Sequence, residues 1–144
     1  MTITIQTSRF GRLEINEDKI ITMTTPFLGF AAERQFILLP HGPKSAFWWL
    51  QALDNPDLAF VVIQAGTINP QYQPTIPDHF QRELQAADQG ELELLVILTI
   101  PKGQPEAMTA NLLGPVALNP VKRVAKQILL DPTQFDSCWP VMKP

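Results

Sequence analysis

The sequence predicts an all-β to β-rich fold: a single compact barrel or two packed antiparallel sheets, with one short helix. Three observations carry this. Fourteen prolines run from Pro26 to Pro144, and an interior proline costs a helix about 3 kcal/mol, so few windows are left for long helices. The intervals between them are short and rich in Ile, Val, Leu, Thr and Phe, the composition of strands. Leu94-Leu95-Val96-Ile97-Leu98 is a continuous apolar run, which predicts a strand buried on both faces, as in the wall between two packed sheets. A length of 144 residues, 45% of them hydrophobic, suits one domain, residues 1–144, able to bury its own core.

The elements follow in order. Alternation of Thr with Ile predicts a strand at residues 2–6, and a second at 12–15 returns across Arg9-Phe10-Gly11. A strand at 19–23 leads into a loop through Pro26 and Gly29. Strands at 35–39 and 47–52 are separated by Pro40-His41-Gly42-Pro43, a turn sequence. Asn55-Pro56-Asp57 predicts a turn or one helical turn before a strand at 59–64. The helix is placed at 77–87: Pro77 suits a first helical position and Asp78 complements the positive end of the dipole. Ile76, Phe80, Leu84 and Ala87 fall on one stripe, and Gly90 ends it. Strands at 92–100, 108–112, 116–118 and 124–130 complete the set.

Reaction chemistry is hard to find. There are two histidines, His41 and His79, and one cysteine, Cys138, which has no internal disulfide partner. No spacing matches a zinc site, a phosphate loop or a nucleophile elbow. The expectation is therefore no catalytic residue, no metal and no cofactor. No apolar run is long enough to span a bilayer, and the first residues lack the pattern of a signal peptide. A cytoplasmic location with no membrane partner is expected.

Charge is uneven. Residues 45–101 hold seven acids against one base, Arg82, a balance of −6 in a chain whose total is −3. Such an acidic surface would steer a basic partner and repel phosphates. Asp54, Asp57, Glu91 and Glu93 are the candidate contacts, because turns and strand ends expose charge. Trp48 joins them: on a strand it faces away from Phe47 and Trp49, and tryptophan is enriched at interface hot spots. Two other readings use the same residues differently. Glu91 and Glu93, two apart on one face of a strand, could serve a carboxylate-based, metal-dependent enzyme. Lys122, Arg123 and Lys126 could contact RNA directly, although the cluster is short and a direct nucleic-acid partner is not expected.

The most informative stretch is Thr109-Ala110-Asn111-Leu112-Leu113-Gly114-Pro115-Val116-Ala117-Leu118-Asn119-Pro120. Physically it is two short apolar segments kinked at Gly114-Pro115, then a turn at Asn119-Pro120. Asn111, an amide in an apolar run, is expected to hydrogen-bond neighbouring backbone. The role of Asn111, Gly114, Pro115, Asn119 and Pro120 is read as structural.

This stretch, followed by Gln127-Ile128-Leu129-Leu130-Asp131, resembles the C-terminal half of the flagellar assembly factor FliW family. Phe10-Gly11 with Leu13-Glu14-Ile15 resembles the family's opening. Phe27-Leu28-Gly29-Phe30 with Phe36-Ile37-Leu38-Leu39-Pro40, and Phe47 to Ala52 with Pro56 to Val62, follow in the family's order. Leu28 stands where the family usually has proline, and Ala31 and Ala32 where it is often acidic. The resemblance implies a non-enzymatic protein that binds the flagellin monomer in the cytoplasm. It also implies binding to the translational regulator CsrA, which represses flagellin synthesis, so that synthesis is coupled to export.

Overall fold

The structure, a computed structural model, describes residues 1–142. In chain order it contains strands β1 (Thr2–Thr7), β2 (Gly11–Asn16), β3 (Ile21–Met23), β4 (Gln35–Pro40), β5 (Trp48–Ala52) and β6 (Ala59–Gln64). Two short helices follow, α1 (Ala65–Ile68) and α2 (Asp78–Glu83). Strands β7 (Glu93–Thr99), β8 (Thr109–Ala110), β9 (Val116–Asn119), β10 (Val124–Gln127) and β11 (Trp139–Pro140) complete the fold. Strands β7, β6, β5, β4, β3, β10 and β9 pair in that order, and β9 pairs back onto β7, so the sheet closes into a barrel. The β3–β10 pairing is parallel and the others are antiparallel. Closure removes the unpaired edges that an open sheet would expose.

Alternation along each strand fills the barrel. Phe36 and Leu38 of β4, Leu50 and Ala52 of β5, Phe60 and Val62 of β6, and Leu95 and Ile97 of β7 point inward with Ile21, Met23, Val116, Leu118 and Ala125. The outward residues are covered as well. The β1–β2 hairpin lays Ile5 and Ile15 on Ile37 and Leu39 of β4. Tyr72, Met108, Ala110 and Leu112 cover Ile63, Val96 and Leu98. Ile76, Phe80 and Leu84 cover Ala117 and Leu94. The 94–98 run is thus buried on both faces, but as a barrel wall under outer layers rather than as a partition between two sheets.

The informative motif acquires a physical account. Thr109 and Ala110 pair with Thr99 and Leu98, and Val116 to Leu118 pair with Leu95 to Glu93. Strands β8 and β9 are one antiparallel partner of β7, interrupted by an excursion at Leu112 to Pro115. Asn111 Oδ1 holds the excursion by accepting from the Leu113 and Gly114 N–H groups. Gln127 Nε2 donates to the Gly114 carbonyl. A Cβ on Gly114 would sit 3.0 Å from that Nε2 and 3.2 Å from Asn111 Nδ2, which is why a glycine stands there.

Several expected boundaries move. The helix placed at 77–87 ends at Glu83, because Gln85 adopts a left-handed φ of 58°. Ala86 N–H donates to the Gln81 carbonyl and Gln85 N–H to the Arg82 carbonyl, a Schellman ending built without glycine. The turn shifts the apolar stripe, so Ala86 is buried instead of Ala87. The strand expected from residue 19 begins at Ile21, since Glu17–Lys19 form a 3-10 turn capped by Asn16. Strand β8 keeps only two residues and β10 stops at Gln127. The 55–58 segment is a turn closed by Leu58 N–H on the Asn55 carbonyl. Helix α1 and strand β11 were not foreseen. No described helix is long and apolar enough to cross a membrane.

Candidate functional site

The two ends of the barrel differ. At the end where β3 finishes and β5 turns into β6, Phe27, Phe36 and Phe60 meet with ring centroids 4.9 to 6.3 Å apart, and Phe30 packs on Phe60 at 5.7 Å. Phe27 and Phe30 come from the loop after β3, which Arg34 ties down by donating to the Met23 and Thr24 carbonyls. This end is plugged. Leu28, between the two plug residues, is 96% exposed, and Ala31 and Ala32 are exposed too.

The opposite end is open. A recess of about 240 Å³ lies there, floored by Leu38, Leu95 and Leu118. Its wall is Trp48 of β5, Gln64 of β6, Glu93 of β7, and Pro120 and Arg123 of the turn between β9 and β10. Trp48 lies opposite Val62, on the inward face, yet it is 37% exposed because the barrel ends there. Glu93 lies opposite Leu118 and shares that inward face. The Trp48 indole, the Gln64 amide and the Glu93 carboxylate make no hydrogen bond or ion pair among the described residues. Trp49 faces the other way, under Arg9 at 4.1 Å and beside Phe10 and His41.

The turn from Asn119 to Arg123 forms the rim. Asn119 is 2% exposed, and its Oδ1 accepts from Val121 N–H and Lys122 N–H, both at 3.1 Å. Its Nδ2 donates to the Leu84 and Gln85 carbonyls at 2.9 and 3.4 Å. One amide thus fixes both the turn and the left-handed ending of α2. Pro120 follows in the turn, and Arg123 closes it with a φ of 57°. Arg123 Nη2 donates to the Lys19 carbonyl at 2.7 Å, and Nε is buried with no partner. Val121, on the same turn, is 82% exposed.

The sequence candidates are dispersed. Asp54 and Asp57 lie in the β5–β6 turn at the plugged end, where Asp57 accepts from the Ser8 hydroxyl. Glu91 and Glu93 lie at the open end. Register makes this unavoidable: β6 runs from the first pair's turn to Gln64, which sits opposite Leu95. The four acids therefore form two patches, not one face. Glu91 is not on a strand with Glu93. It ends the 3-10 turn Gln89–Glu91, and its carboxylate accepts from Ala87 N–H at 3.1 Å. The described residues hold no group of three or more His, Cys, Asp or Glu side chains placed to bind a metal ion. The basic trio is also divided. Lys126 pairs with Glu83 at 3.3 Å and lies over Phe80, Arg123 is committed to the Lys19 and Pro120 carbonyls, and Lys122 is the one of the three that is exposed.

Among the described residues, three groups titrate away from their ordinary values; the Asp131 carboxyl is lowered by hydrogen bonds from the Thr133 N–H and hydroxyl. The hydrogen bond from Thr24 is the largest cause lowering the Glu83 carboxyl; desolvation opposes it, and the hydrogen bond and charge of Lys126 add to the lowering. Burial pushes the Tyr72 hydroxyl up, so it stays protonated and donates to the Leu112 carbonyl at 2.7 Å. None of the three lies in the recess. Sequence reasoning singled out Trp48, Glu93 and Arg123 for separate reasons and missed Gln64. No spacing rule joins them, because closure of the barrel is what brings them together.

Comparison with known proteins is consistent over the whole length. The family model described as "FliW protein" matches residues 4–142. The flagellar assembly factor FliW of Magnetococcus marinus is 40% identical over 125 residues, covering 87% of this chain and 77% of that one. Its namesake from Geotalea uraniireducens is 39% identical over 136 residues, covering 94% and 82%. A crystal structure of the flagellar assembly factor FliW superposes with a TM-score of 0.90 at 31% identity, covering 99% of each chain.

Proposed function

Because this chain belongs to the FliW family, we propose that it is a non-enzymatic flagellar assembly factor that binds monomeric flagellin and antagonises the translational repressor CsrA. The observation that carries the reading is the match across residues 4–142 to relatives each named a flagellar assembly factor. The mechanism needs only two linked and mutually exclusive binding events. Accumulated flagellin occupies the factor and leaves CsrA free to repress. Export removes flagellin, the factor returns to CsrA, and translation resumes. This takes place in the cytoplasm, as one domain, without a cofactor, a membrane or direct contact with nucleic acid.

The dispersion of the acids refines the electrostatic part of the reading. An RNA-binding regulator presents a basic surface, and an acidic partner beside it attracts the protein while repelling phosphate. With the acids at opposite ends of the barrel, one docked regulator uses one pair. Calorimetry with monomeric flagellin and with CsrA from the same organism tests the partners: both bind, and flagellin displaces CsrA. Reversing Asp54 with Asp57, and separately Glu91 with Glu93, to lysine tests the surface. One double variant should lose most of its ability to release RNA from CsrA, and the other should keep it. Absence of binding to either partner defeats the proposal, and parental release by both variants defeats the acidic-patch mechanism.

A further inference from the structure

The open end of the barrel carries more than a structural role requires. A recess that only terminated the core would be filled or lined with apolar side chains, as the plugged end is. Here the apolar floor is ringed by an indole, an amide and a carboxylate, none of which has a partner among the described residues. A concave apolar site with a few convergent polar groups is the general form of a binding site. Its size, about 240 Å³, is below the ~300–1,000 Å³ of typical small-molecule and cofactor cavities, and it suits one amino-acid side chain.

Charge narrows the occupant. Glu93 and Arg123 face the recess from two sides with opposite formal charges. A cation attracted by one is repelled by the other, and so is an anion. A neutral group gains from both, provided that it offers donors and acceptors. An extended peptide does so, with its N–H groups toward Glu93 and its carbonyls toward the Trp48 indole N–H and the Gln64 amide. The rim is built to receive such a segment: Asn119 fixes the turn and ties it to the end of α2, so little ordering remains to be done on binding. Trp48, partly exposed on the wall, supplies apolar contact to the segment.

We propose that the barrel mouth is a docking recess for one uncharged apolar side chain, leucine- or phenylalanine-like, presented by an extended segment of a protein partner. This rests on the reading of the chain as a protein-binding factor and assigns the place where a partner's anchor residue enters.

The test uses the full chain labelled with ¹⁵N and four capped tripeptides with Leu, Phe, Lys or Glu between two alanines. The Trp48 indole resonance is assigned with Trp48→Phe. Saturable shifts are expected at that indole and in the backbone from Leu118 to Arg123 with the Leu and Phe peptides. The Lys and Glu peptides should bind at least roughly tenfold more weakly. Gln64 is exposed at a strand end, so Gln64→Trp fills the mouth without disturbing the core. It should abolish the shifts and weaken binding of flagellin, CsrA or both by at least about tenfold. No saturable shift in the parent overturns the proposal. So do equal shifts with all four peptides, or parental affinity of a folded Gln64→Trp for both proteins. If the parent binds neither protein while the Leu peptide still saturates Trp48, the partner assignment falls and the recess stands.

Discussion

At one end of the barrel four phenylalanines meet, through two edge-to-face and two tilted ring contacts. At the other, a tryptophan, a carboxylate and a guanidinium surround an open recess. The same strands supply both ends, with phenylalanines at one and polar residues at the other, and the connecting segments differ too. After β3 the chain has a loop that folds Phe27 and Phe30 back over the opening. After β9 it has a turn locked by Asn119 that stays on the rim and leaves the opening clear. One loop completes the core, and the other holds an opening in place. If the recess binds a partner as proposed, stability and recognition are separated along the barrel axis.

That separation breaks first if the two ends respond alike to truncation. Phe36 is 0% exposed and contacts two other rings. Phe36→Ala should cost about 3–5 kcal/mol in urea unfolding, a large share of the about 5–15 kcal/mol that holds a typical domain folded. Trp48→Ala removes a larger side chain that is already 37% in water. Its cost should be about 1–2 kcal/mol, with partner binding reduced while the fold persists. Equal losses of stability would mean that the mouth is core after all.

Much of the fold was legible in the sequence, whereas the contrast between the two ends was hidden for definite reasons. Proline spacing and alternation placed most strands to within a few residues. The Asn111–Pro120 motif marked where the chain must kink, which is where β8 gives way to β9. Closure was not legible: the parallel pairing of Val124 and Ala125 with Thr22 and Met23 joins residues about a hundred positions apart, and no local pattern encodes it. Helix α2 was found by its stripe but overextended, because Gln85 takes a left-handed turn that a glycine would have announced. For the same reason the recess could not be seen as a unit. Trp48, Gln64, Glu93 and Arg123 become neighbours only when the barrel closes.

Asn119 sharpens the comparison at the open end. Asn119→Ala leaves the Val121 and Lys122 N–H groups and the Leu84 and Gln85 carbonyls without their partner. The expected loss is about 2–3 kcal/mol, less than at Phe36. Hydrogen exchange should locate it: protection falls at residues 84–86 and 119–124 and is unchanged around Phe27 and Phe36. A uniform loss of protection would show that the rim and the plug unfold as one unit.

The smallest expected effect concerns the fastening of the plugged end. The Thr24 hydroxyl, where the plug loop begins, donates to Glu83 of α2 at 2.5 Å, and Lys126 of β10 pairs with the same carboxylate at 3.3 Å. The hydroxyl bond is the larger cause of the lowered Glu83 pKa. A carboxyl group with a depressed folded pKa contributes stability that is fully present above its unfolded value, near 4.5. That contribution disappears as pH falls through the folded value. Glu83→Gln should therefore cost stability at pH 7, and the difference from the parent should close as the solution is acidified below about 4.5. The Glu83 side chain is 34% exposed, so solvent screening holds the cost to about 0.2–1 kcal/mol. Added salt should shrink only the part owed to Lys126, because the Thr24 bond involves a neutral donor. Paired urea titrations at pH 7 and pH 3.5 check the sign. A gap that widens in acid would mean that Glu83 is held protonated, and that the plug loop is fastened by some other contact.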